Sequence, residues 1–119
     1  MCRPRASKDL PFEGKIIKIG KGLEDPDATI IDASDKHLTS GVIDEHSHIA
    51  LNAVNEGTSA ITSEVRMKDV LDPEDMSIYR QLAGGVTASQ LLHGSANPIG
   101  GRSAIIKLKW CYFHHILLY

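Results

Sequence analysis

Cysteine is scarce in this chain. Cys2 and Cys111 stand near opposite ends of 119 residues, too few and too dispersed for a disulfide framework or a cysteine-ligated zinc site, so they read as free thiols. Aromatic residues make up only 5%, which leaves no platform for stacking nucleobases. The thirteen basic residues are scattered and the formal net charge is -2, so there is neither a nucleic-acid stripe nor a polybasic membrane patch. No apolar run reaches the roughly 18 residues of a membrane span, and none near the start has the form of a signal peptide. These absences argue against nucleic acid and membrane as partners and leave the compartment unassigned. What is present, 42% hydrophobic and 24% charged residues, is ordinary globular material for one small domain.

Residues 1–13 are basic, proline-containing and without period, and read as a disordered or cut end. Between 14 and 40, Gly-Lys-Ile-Ile-Lys-Ile-Gly at 14–20 and Thr-Ile-Ile-Asp at 29–32 predict two short strands separated by turn residues Gly22, Asp25 and Pro26. Residues 52–69 are polar and without sustained period, a long loop of the functional or disordered kind. A helix is expected next. Asp72 caps it, Pro73 takes its first position, Glu74 and Asp75 complement its positive end, and Gly84-Gly85 stops it. Met76, Ile78, Tyr79, Leu82 and Ala83 share an arc of roughly 160°, a core-facing stripe. Residues 86–92 form a further strand, followed by a glycine-rich loop from His93 to Gly101. That loop either brings backbone N–H groups to a ligand or is a plain connection, and it lacks the Walker pattern.

The chemistry concentrates at 41–48, Gly-Val-Ile-Asp-Glu-His-Ser-His. On a strand, residues i and i+2 share a face with Cα atoms about 6.5–7 Å apart, so His46 and His48 can converge on one metal ion. The same parity puts Val42 and Asp44 on that face. A bare His-x-His is a weak signal on its own, but an apolar lead-in followed by a polar segment is how a buried strand emerges at the mouth of a site. Strand, loop, helix, strand is α/β grammar. If the two strands are parallel, His46, His48 and His93 all lie at carboxyl ends, where such folds place their sites.

The run 29–48, in which Ile31-Asp32 precedes Asp44-x-His46-x-His48, resembles the signature of the metal-dependent amidohydrolase superfamily, imidazolonepropionase- and dihydroorotase-like composite-domain hydrolases among them. Gly84-Gly-Val-Thr-Ala88 resembles that family's second barrel strand, and the likeness covers roughly residues 14–109. Two positions depart from the pattern: Ser40 stands in place of proline, and Asp35 in place of a glycine, which is expected to put Asp35 at positive φ. The resemblance implies a partial β-sandwich at 14–40 and, at 41–109, the first βα units of a TIM-type (β/α)8 barrel. It also implies metal-assisted hydrolysis of a non-peptide or cyclic amide bond, with His46 and His48 as ligands to a divalent metal, Zn2+ first. Asp44 is then a candidate to orient an imidazole from behind or a plain backbone-bonded acid, and His93 and Asn97 are candidates to bind substrate.

The length conflicts with the whole activity. A barrel needs about 250 residues, and this chain offers two barrel strands, or three if Ser103 to Leu108 counts. The family's remaining ligands and its aspartate base come from later strands and have no match here. Residues 110–119 form an abruptly apolar tail that reads as a read-through or frame-shifted end, with His114 and His115 non-functional. The chain therefore reads as an N-terminal fragment, inactive alone and open to self-association through the barrel surface it lacks. The alternative is a small non-enzymatic α/β module that binds a ligand or protein.

Overall fold

The computed structural model describes residues 16 and 18–110, and the backbone of 116–118. The described residues divide into two units, one within residues 3–39 and one within residues 40–119. In the first, no strand forms among the described residues, and the expected strands at 14–20 and 29–32 are not seen there. Ile30 and Ile31 are 88% and 83% exposed. Strand residues must pair both their backbone polar groups and their apolar faces, and no ladder here does either. Local turns remain: Asp32 accepts the Ser34 N–H at 2.9 Å, and Lys36 N–H donates to Ala33 O at 3.0 Å. Between them Asp35 adopts φ 60°, as its place in a glycine position led one to expect.

The second unit carries a mixed sheet of order β1-β2-β3-β4, formed by β1 (Val42–Ser47), β2 (Val86–Leu91), β3 (Ala104–Leu108) and β4 (Ile116–Leu118). β1 and β2 are parallel and are joined through a 3₁₀ turn (Met67–Val70) and helix α1 (Met76–Ala83). That is the one crossover unit the α/β pattern called for. Ser103 to Leu108 does not count as a third barrel strand, because β3 runs antiparallel to β2. The connection between them is a helix-free run of turn residues, which returns the chain instead of carrying it across the sheet. Part of the apolar tail also finds a place, since β4 pairs antiparallel with β3. Its His114 and His115, like Cys2 and Cys111, lie outside the described residues.

The core gathers Ala50, Met67, Ile78, Leu91, Ala104, Ile106 and Leu108. Alternation along β3 buries Ala104, Ile106 and Leu108 and exposes the residues between. Of the expected helical stripe, Ile78 is fully buried and Leu82 packs against the core, while Met76 and Tyr79 are half exposed. The loop 52–69 is neither loose nor apart. It hydrogen-bonds to the segment after β2 through isolated bridges Ile61–Ile99 and Arg66–Arg102, and it buries Met67 and Thr62. Among the described residues no helix is long and apolar enough to cross a membrane.

The helix starts three residues later than expected. Asp75, not Asp72, is the N-cap: one carboxylate oxygen accepts the Ser77 N–H at 2.8 Å and the other the Ala50 N–H at 2.7 Å. Asp72 instead closes the preceding turn by accepting the Glu74 N–H at 3.0 Å. The stop is as read, with Gly85 at φ 93°. Burial raises the Asp75 pKa, but the bonds from Ser77 and Ala50 and the charge of Arg80 outweigh it and hold the carboxyl below its ordinary value. A depressed folded-state pKa contributes stability that is present above the unfolded value, about 3.9, and is lost as pH falls through the folded one. Thermal melts between pH 6 and 2.5 are therefore expected to show a loss below about pH 4 that is smaller in Asp75→Asn. Equal acid sensitivity in both proteins would contradict this.

Candidate functional site

The parallel pairing of β1 and β2 brings their carboxyl ends together. His46 is near the end of β1, His48 directly follows it, and His93 lies just beyond β2. The His46 and His48 rings lie edge to face with centroids 5.3 Å apart, both exposed. His48 Nδ1 is 2.9 Å from the carbonyl oxygen of Leu92. A carbonyl only accepts, so Nδ1 carries the proton and Nε2 keeps its lone pair in the neutral ring. That is how metal-binding imidazoles are commonly oriented, by a backbone carbonyl behind them. The Leu92 N–H in turn donates to Ser47 O at 3.0 Å, so the two strand ends hold each other.

Asp44 does not stand behind either ring. Its Oδ1 accepts the backbone N–H of His46 at 3.1 Å. Simple alternation also fails between them: Asp44 pairs with Ser89 and Ser47 with Leu91, so β1 carries one more residue than β2 over that interval. Such a bulge interrupts face parity, which no residue pattern announces. The pair of histidines survives because both lie at or beyond the irregularity.

His93 and Asn97 serve the neighbouring loop. His93 Nδ1 lies 2.7 Å from Gly94 O and so donates, while Nε2 accepts the Glu56 N–H at 2.8 Å, which commits both ring nitrogens. Asn97 Nδ2 donates to Glu56 O at 2.6 Å and to Ser59 O at 2.7 Å. Its Oδ1 is buried and has no hydrogen-bond partner. Both backbone polar groups of Glu56 are thus held. The glycines of this loop are explained by close packing: a Cβ at Gly100 would lie 2.8 Å from His93 Nδ1, and one at Gly101 2.9 Å from Val65 O. The sequence did not identify Leu92 O, the Glu56 peptide or Asp75, because backbone groups leave no signature and Asp75 looked like one acid among several.

Two imidazoles, one with its rear nitrogen fixed, suit Zn2+ or a similar divalent cation as part of a ligand set. A catalytic zinc usually takes three protein ligands and a water. Among the described residues no group of three or more His, Cys, Asp or Glu could hold a metal ion. The described residues thus bring two candidate ligands, His46 and His48, side by side.

No family model matches the chain. It is 42% identical over 90 residues to amidohydrolase tasK of Hapsidospora irregularis, an alignment that takes in 68% of this chain and 9% of that protein. The crystal structure of an amidohydrolase from Thermotoga maritima superposes with a TM-score of 0.72 at 43% identity, covering 82% of this chain and 28% of the other. The chain thus spans well under a third of each.

Proposed function

We propose, from the premise that this chain belongs to the amidohydrolase superfamily, that it carries the first two metal ligands, His46 and His48, of a hydrolase acting on carbon–nitrogen bonds of a small molecule. The observation that carries this reading is the His48 ring, held by Leu92 O with Nε2 free beside the His46 ring. When bound, a divalent cation, Zn2+ first, lowers the pKa of its water towards 7 and polarises the scissile carbonyl. His48 contributes a pre-set tautomer, and Asp44 steadies the His46 backbone. His93 and Asn97 fix the loop 54–59 through its backbone, and together with that loop they are the candidates for contact with substrate. The barrel architecture belongs to the same proposal. The edge position of β1, with Val42 and Ile43 53% and 67% exposed, supports a further strand packing there. A purely non-enzymatic module is not favoured, since both similar proteins are named as hydrolases.

These 119 residues by themselves should bind Zn2+ or Co2+ through these rings and show no hydrolysis, since among the described residues no group of three or more candidate ligands comes together. His46→Ala/His48→Ala is expected to weaken metal binding by more than the roughly 10–100-fold that losing an outer partner costs, read by competition with a chromophoric chelator. Unchanged binding in the double variant would remove the ligand assignment. Robust turnover of amide substrates by the wild-type chain would overturn its inactivity.

A further inference from the structure

We propose that Asp75 is a positioning residue for His48, acting through Ala50; as a statement about a metal ligand it rests on the reading above. Ala50 follows His48 by two residues, is fully buried and adopts φ 55°, a left-handed conformation that residues with a Cβ rarely take. Something must hold it there. Asp75 Oδ2 accepts its N–H at 2.7 Å, and the Asp72 N–H donates to its carbonyl at 2.8 Å. The chain beyond is fixed too, because Asn52 N–H donates to Val70 O at 2.8 Å and Leu51 bridges Leu71.

The backbone leaving His48 is thus turned sharply by a carboxylate from the start of α1, while the ring is held from behind by Leu92 O. Capping alone does not need an acid, since Asn, Ser or Thr with one acceptor oxygen serves as well. Asp75 uses two oxygens on two donors, Ser77 N–H for the helix and Ala50 N–H for the turn. The second bond is the one that requires a carboxylate. Without it, a residue in a costly conformation loses its anchor next to the metal ligand, and the His48 ring loses the fixed approach to Leu92 O.

The test compares Asp75→Asn with wild type in the full chain. Asn keeps the cap but has one acceptor oxygen, so the helix should persist while the Ala50 N–H is orphaned. Nitrogen-15 NMR of the imidazoles at a pH where they are neutral reads the His48 tautomer without any metal. The expected result is an Nδ1–H form in wild type and a mixture of tautomers in Asp75→Asn, with Zn2+ affinity lower by about 10–100-fold. Asp75→Ser, whose short side chain caps but does not reach Ala50, should behave the same. A native-like Asp75→Asn or Asp75→Ser that retains the Nδ1–H tautomer overturns the proposal, as does a wild type without that tautomer. Loss of helical circular dichroism in both variants also overturns it, by making Asp75 a cap only. Loss of the tautomer in Asp75→Asn and Asp75→Ser, together with a wild type that keeps it but binds no Zn2+, would sink the metal reading and leave the positioning role intact.

Discussion

Replacing Ile78 by Ala is expected to lower the unfolding free energy by about 2–5 kcal/mol. Ile78 is the helix residue that is fully buried, and it sits in a core drawn from Ala50, Met67, Leu91, Ala104, Ile106 and Leu108. Its truncation removes apolar contact and leaves a cavity that two flanking layers, helix and sheet, cannot collapse into without breaking backbone bonds. A domain's total stability is about 5–15 kcal/mol, so the loss is a large share of it. Because α1 presents the Asp75 carboxylate to Ala50, the same variant should loosen the end of the histidine strand. Urea unfolding followed by circular dichroism measures the effect, with Ile78→Val, at about 0.5–1.5 kcal/mol, as the graded control. A cost under about 1 kcal/mol for Ile78→Ala would mean that the helix is not docked on the sheet.

The second large effect is expected from Asn97→Asp, an exchange of nearly equal shape. The Asn97 amide nitrogen donates to the carbonyls of Glu56 and Ser59. A carboxylate has no donor, so both bonds are lost, and the partly buried Glu56 carbonyl and the exposed Ser59 carbonyl then face a negative charge. Leaving a buried group of this kind unpaired costs about 1–3 kcal/mol, more where a charge is involved. The variant should be destabilised by roughly 3 kcal/mol at neutral pH, well beyond Asn97→Ala, which removes the donors without adding repulsion. Protonation restores one O–H donor, so the gap to wild type, measured at matched pH, should narrow below about pH 4. If Asn97→Asp and Asn97→Ala were equally stable at pH 7, the amide would not be oriented with its nitrogen towards those carbonyls.

These two residues also mark where sequence reading stops. Ile78 was legible: apolar spacing at helical period, Asp and Pro before it and two glycines after it described α1 with an error confined to its start. That error came from Asp75, whose preference over Asp72 is decided by the Ala50 N–H, a group 25 residues away. Asn97 was legible only as a polar residue in a glycine-rich loop near a candidate site. Its task, clamping the Glu56 peptide together with His93, depends on a loop-to-loop approach that leaves no local pattern.

By itself the sequence determined the strand-helix-strand order and the nearness of His46 and His48, which follow from local periodicity, turn residues and a spacing of two, while its likeness to a known family's pattern led to the family and to the positive φ of Asp35. Only the tertiary structure decided the rest. It turned β3 antiparallel, left residues 16 and 18–39 without a strand, put the Asp44 carboxylate on the His46 backbone N–H, and set Leu92 O behind His48. The physical reason is common to all four: each depends on which backbone groups find partners across the fold, and the backbone is the same at every residue.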